Sequence, residues 1–154
     1  MEPLHWPDGY KVEQYVPKEW FEHLPFSLVF FWLSKPVWVY KDRFQPVIIE
    51  VGKQLITRPE PSQSIWGSTP ERVNMAQYVC AVIKDTYAWP NSHFIPEDPL
   101  DVVFQMPFGE VDLVECIVRL QEDLSINIQN KEAQQWSGKR LGNIVDFLLA
   151  KQGG

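Results

Sequence analysis

The chain has 154 residues, 45% of them apolar and 22% charged, with a formal net charge of −6. That suffices for one compact domain with an appendage. The acidic balance argues against nucleic acid as a partner, because phosphate recognition needs clustered Lys and Arg, and is compatible with docking onto basic patches of other proteins.

The first residues, "MEPLHWPDGY", carry no basic stretch and no apolar run before the first prolines, so no signal peptide is expected. "PKEWFEHL" predicts a short helix with Pro17 in its first turn. "SLVFFWL" suits a helix or a buried strand equally, and its clean apolar run, Phe26–Leu33, is too short to span a bilayer. A surface membrane contact through Phe30, Phe31 and Trp32 is the weaker reading beside a buried element. "VWVY" and "VIIEVGKQLIT", bounded by Pro36, Pro46 and Gly52, read as strands. Residues 1–58 are therefore predicted to form an aromatic, proline-rich helix-plus-β-hairpin extension that packs on the rest of the chain. Residues 59–68, rich in Pro and Ser, read as a connector.

From residue 69 to residue 154 helical periodicity dominates. Thr69 as N-cap and Pro70 at the first helical position open a helix in which Val73, Ala76, Gln77, Cys80, Ile83, Lys84 and Tyr87 follow helical spacing. A long loop follows, with one turn of helix expected near Leu100–Phe104. Val111–Leu124 is the next helix. Val114, Ile117, Val118, Leu120, Gln121 and Leu124 are expected on its inward face, with Asp112, Glu115, Arg119 and Glu122 opposite. "SINI" is extended, "NKEAQQW" is a short helix capped by Asn130, and "LGNIVDFLLAKQGG" is a last amphipathic helix. Long helix, long loop, helix, short helix, helix predicts a small four-helix bundle in a mainly α protein.

In this order and spacing the segment from Thr69 to Lys151 resembles the acyl carrier proteins, the phosphopantetheine-binding family of fatty acid and polyketide synthesis. The family's second helix reads Asp-Ser-Leu-Asp-x-Val-Glu-Leu, and "GEVDLVECIVRLQEDLSINI" has Val111, Asp112, Val114 and Glu115 in register. "NKEA" and "LGNIVDFL" are similar to the openings of its third and last helices, and "FIPEDPLDVVF" to the loop before its second. About two extra residues, within Ser137–Arg140, lengthen the approach to the last helix.

The family's Asp-Ser pair falls on Gly109 and Glu110. The resemblance implies a phosphopantetheine arm esterified to that serine hydroxyl, but a carboxylate cannot form this phosphodiester. No Ser or Thr occurs between Leu100 and Leu124 to replace it. Phosphopantetheine is therefore not expected, and Glu110 reads as a carboxylate favoured by the helix dipole. Cys116 lies beside Glu115, which raises a thiol pKa, so it is a poor nucleophile.

Two readings of the acidic helix face stand side by side. One is a solvated surface. The other, implied by the resemblance, is a docking face for a partner with a basic patch, in which Asp112, Glu115, Arg119, Glu122 and Asp123 take part. His5, His23 and His93 are scattered without metal-ligand spacing, so no metal site is expected. Cys80 and Cys116 fit free thiols of a reducing, cytoplasmic compartment. With no Ser/His/Asp set and no Gly-rich phosphate loop, the expected protein is not an enzyme. It is a carrier-like, partner-binding module tied to acyl metabolism. The alternatives are a carrier with a displaced attachment residue and a small-ligand protein whose aromatic residues Trp32, Trp38, Phe44 and Trp66 help form an apolar site.

Overall fold

Phe44, Val47, Val51 and Leu55 recur at steps of three and four, and all four are buried. The backbone around them is one long helix, α1 (Pro36–Thr57), in a computed structural model that describes residues 1–11, 36–106 and 108–153. The strands expected at Val37–Tyr40 and Val47–Thr57, and with them the β-hairpin, are overturned. Among the described residues there is no β-strand, only an isolated antiparallel bridge between Pro99 and Arg140. The physical reason is burial: a stripe of period 3.6 had a core to face, and that outweighs the β preference of Val and Ile. Pro46 lies inside this helix, at an exposed position. The short helix expected at Pro17–Leu24 and the apolar element at Ser27–Leu33 lie outside the described residues.

After a 3₁₀ turn at Gln63–Trp66, which buries Trp66, come α2 (Pro70–Tyr87), the single turn α3 (Leu100–Val103), α4 (Glu110–Leu124), α5 (Asn130–Gln134) and α6 (Leu141–Gln152). The protein is mainly α. Helix α2 starts with Thr69 at the N-cap and Pro70 first in the helix, as its sequence predicts, and it packs against both α4 and α6. Its buried residues Ala76, Val79 and Ile83 share one core with Leu141, Ile144 and Leu148 of α6, and with Leu4, Val51 and Leu55 from the N-terminal segment and α1.

Caps explain several boundaries. The N-cap of α5 is Gln129, not Asn130: the Glu132 carboxylate accepts the Gln129 N–H at 2.8 Å, which closes a capping box one residue earlier. The same carboxylate pairs with Lys151 of α6 at 2.8 Å, and these contacts, the Lys151 bond foremost, hold it below the usual range. At the start of α6, two N–H groups that no helix turn can satisfy donate to the loop instead. Leu141 bonds the Asp98 carbonyl and Gly142 the Pro96 carbonyl, both at 2.9 Å.

Among the described residues, that loop holds the buried carboxylate, Asp98. Asp98 accepts the Leu4 N–H at 2.7 Å, the Ile95 N–H at 2.8 Å, and both ends of the Arg58 guanidinium at 2.7 and 3.0 Å. Arg58 also donates to the carbonyls of His93 and Glu2. One fully paired ion pair thereby ties the N-terminal residues and the end of α1 to the loop that seats α6.

Candidate functional site

Helix α4 is entered through Gly109, which is buried and N-caps it, and Glu110 is its first residue. The Tyr87 hydroxyl donates to the Gly109 carbonyl at 3.0 Å, fixing the helix start against the end of α2. Gly109 is required there. A Cβ at this position would overlap the Phe104 carbonyl and lie 2.8 Å from a Tyr87 ring carbon.

The inward face of α4 differs from its sequence-based assignment. Cys116 and Leu120 are buried, and Leu113, Ile117 and Leu124 pack partly buried against the core. Val114 and Val118, expected inward, are 45% and 43% exposed, and Val111 is 47% exposed. The helix carries more apolar positions than one side can bury, so its contact with α2 decided which set faced water. Positions 111, 115, 118 and 122 fall on one outer row, where valine alternates with glutamate.

The five predicted partner-binding residues do not share one row of the helix. Glu115 and Glu122 are exposed on that row, and among the described residues neither makes an ion pair or side-chain hydrogen bond. Arg119 does not pair with Glu115 or Glu122 as its spacing suggests. It lies 3.7 Å from Asp85 of α2 and 3.8 Å from Asp123. Asp123 also accepts the Tyr78 hydroxyl at 2.7 Å; burial first, and this hydrogen bond second, raise that phenol above its ordinary value. Asp112 is half-buried and lines a groove formed mainly by α1 and the end of α2.

Both thiols are buried and free, and burial pushes each from its ordinary 9.0 up to about 12; at Cys116 the Glu115 carboxylate adds to this and Arg119 opposes it. Nucleophilic chemistry by either is disfavoured in the folded protein. The raised values also set a pH window. Stability tied to the neutral thiols is complete below pH 9 and is lost as pH rises towards about 12, because the unfolded chain releases these protons first. Urea midpoints measured in this window should fall with pH, and replacing both cysteines with alanine should flatten the slope. Among the described residues no three His, Cys, Asp or Glu side chains are grouped so as to hold a metal ion, and no helix is long and apolar enough to cross a membrane.

What the fold defines at this point is a class: a mainly helical protein with an exposed valine–glutamate row on α4. Compared with known proteins, the chain matches no family model, no curated protein and no solved structure.

Proposed function

We propose that the segment from α2 to α6 is a carrier-like four-helix bundle, formed by α2, α4, α5 and α6, that has given up its prosthetic arm and acts as a partner-docking module in the cytoplasm. The observation that carries this reading is the outer row of α4. Val111 and Val118 offer apolar surface, and Glu115 and Glu122 offer carboxylates that, among the described residues, have no ion pair or side-chain hydrogen bond. A complementary partner presents an apolar patch bordered by Lys or Arg, as enzymes that receive carrier proteins do, and the sequence resemblance points to an enzyme of fatty acid or polyketide metabolism. Glu110 begins the helix where the family has its serine. A carboxylic acid at this position cannot bear the phosphodiester that the family's serine hydroxyl forms.

Incubation with coenzyme A and a broad-specificity phosphopantetheinyl transferase should leave the intact mass unchanged. Glu110→Ser, which restores a hydroxyl at the helix start, should gain one phosphopantetheine. Modification of the native chain would overturn the armless reading and favour a displaced attachment residue. An unmodified Glu110→Ser would remove the support for a carrier-like docking face. In a titration of the native chain with the same transferase, the double variant Glu115→Lys/Glu122→Lys should weaken binding about tenfold at low salt, on the scale of two exposed charge pairs.

A further inference from the structure

Glu2, Pro3, Leu4 and His5 lie outside regular secondary structure, and side chains from distant parts of the chain hold their main-chain atoms. The Arg58 guanidinium donates to the Glu2 carbonyl at 2.7 Å, and Asp98 accepts the Leu4 N–H at 2.7 Å. The Gln54 amide holds His5 twice, accepting its N–H at 3.2 Å and donating to its carbonyl at 2.8 Å. The Arg58 N–H bonds the Gln54 carbonyl as in a further helical turn, so both side chains reach the segment from one face.

Only one side chain of the four is read. Leu4 is 1% exposed and shares the core with Val51 and Leu55, whereas Glu2, Pro3 and His5 are exposed. Hydrogen bonds to the main chain, with a pocket for one apolar side chain, are a recurring way for proteins to bind peptide segments. Pro3 suits such a segment, since it has no N–H to satisfy and biases Glu2 towards extended backbone.

The charged walls of the slot also support each other. With Leu4 withdrawn, Asp98 would keep three of its four hydrogen bonds, two from Arg58 and one from the Ile95 N–H. Arg58 would keep Asp98 and the His93 carbonyl. These walls are therefore preorganised for whichever segment fills the slot.

We propose that this slot is a peptide-recognition site, filled in cis by Glu2–His5, that also takes a segment of a partner protein. That segment has the form x-Pro-Leu-x, with its leucine in the pocket and its main chain held on either side. The attached copy has the advantage of effective concentration, so weakening it uncovers the site. The slot is independent of the docking row on α4, so either can fail without the other.

The test is fluorescence anisotropy with the labelled peptide EPLHWPDGYK, the sequence that follows Met1, added to full-length chains. Leu4→Ala should bind it saturably, one per chain, and about tenfold or more tighter than the native chain does. Alanine in place of the peptide's leucine should weaken binding to Leu4→Ala about tenfold or more. Methylation of that leucine's amide nitrogen, which removes the donor to Asp98, should have an effect of about the same size. Alanine in place of the peptide's Glu and His should change binding by less than about threefold, because only their main chain is held. Gln54→Ala added to Leu4→Ala should weaken it about tenfold. Circular dichroism shows whether Leu4→Ala keeps the native helix content; if it does not, Leu4→Val serves with a smaller gain. A folded Leu4 variant that binds no peptide, or that binds the N-methylated or leucine-free peptide equally, would overturn the proposal. So would a native chain that binds as tightly as the variant, since the attached segment would then not occupy the same slot.

Discussion

Asp98→Ala is expected to destabilise the protein by about 3–5 kcal/mol, a large part of a typical domain's stability. The carboxylate it removes is fully buried and is the acceptor of four hydrogen bonds, two from Arg58 and one each from the Leu4 and Ile95 amides. Its loss leaves a buried guanidinium without its counter-charge, and desolvation of that charge is the dominant cost. The exposed pairs Lys53–Glu50 and Lys84–Asp85 are of another order, about 0–1 kcal/mol each. Urea unfolding measures the effect. The double variant Arg58→Met/Asp98→Leu should recover part of the loss, because no unpaired charge remains. Amide exchange at Leu4 should accelerate in Asp98→Ala more than exchange in the middle of α2. A drop below about 1 kcal/mol would show that water reaches the pair and that it behaves as a surface contact.

Gly109→Ala carries the second large effect, about 3 kcal/mol, at the upper end of overpacking costs. The added carbon would overlap the Phe104 carbonyl and press on Tyr87, and backbone cannot move aside as the tip of a long side chain does. The start of α4 must shift, and the Tyr87–Gly109 hydrogen bond with it. Thermal unfolding followed by circular dichroism gives the magnitude. Gly52→Ala is the control, since it meets no neighbouring atom and should gain about 0.5–1 kcal/mol. The consequence reaches the proposed function. Any attempt to rebuild the carrier motif here must leave Gly109 alone, so Gly109→Asp/Glu110→Ser should fold worse than Glu110→Ser and accept the arm less well.

Much of the helical architecture was legible in the residues. Helix α2 announces itself by Thr69, Pro70 and a long amphipathic run, and α6 by an apolar stripe ending near Lys151, because caps and periodicity are local and survive in any tertiary setting. Helix α1 was not legible. Its Val and Ile content favours strand by propensity, and only the burial of Val47, Val51 and Leu55 against the core selects the helical period. On α4 the sequence contains two competing apolar sets, and nothing local says that Cys116 and Leu120 turn inward while Val114 and Val118 face water.

The pairings were less legible still. Arg58 and Asp98 stand 40 residues apart, and no local pattern joins them. Arg119 had suitable acidic neighbours on its own helix, yet Asp85 of α2 lies nearer to it than any of them. Gly52 looked like a strand boundary and instead lies inside α1, where it lines a groove.

By itself, then, the sequence determined where most helices begin and end and that position 110 offers a carboxylate where a hydroxyl would be needed, since both depend on residue chemistry and short-range spacing. Which faces of those helices meet, which charges are buried together, and where a groove stays open were decided only in the tertiary structure. Those outcomes depend on the competition among distant segments for one core, and no local spacing encodes that competition.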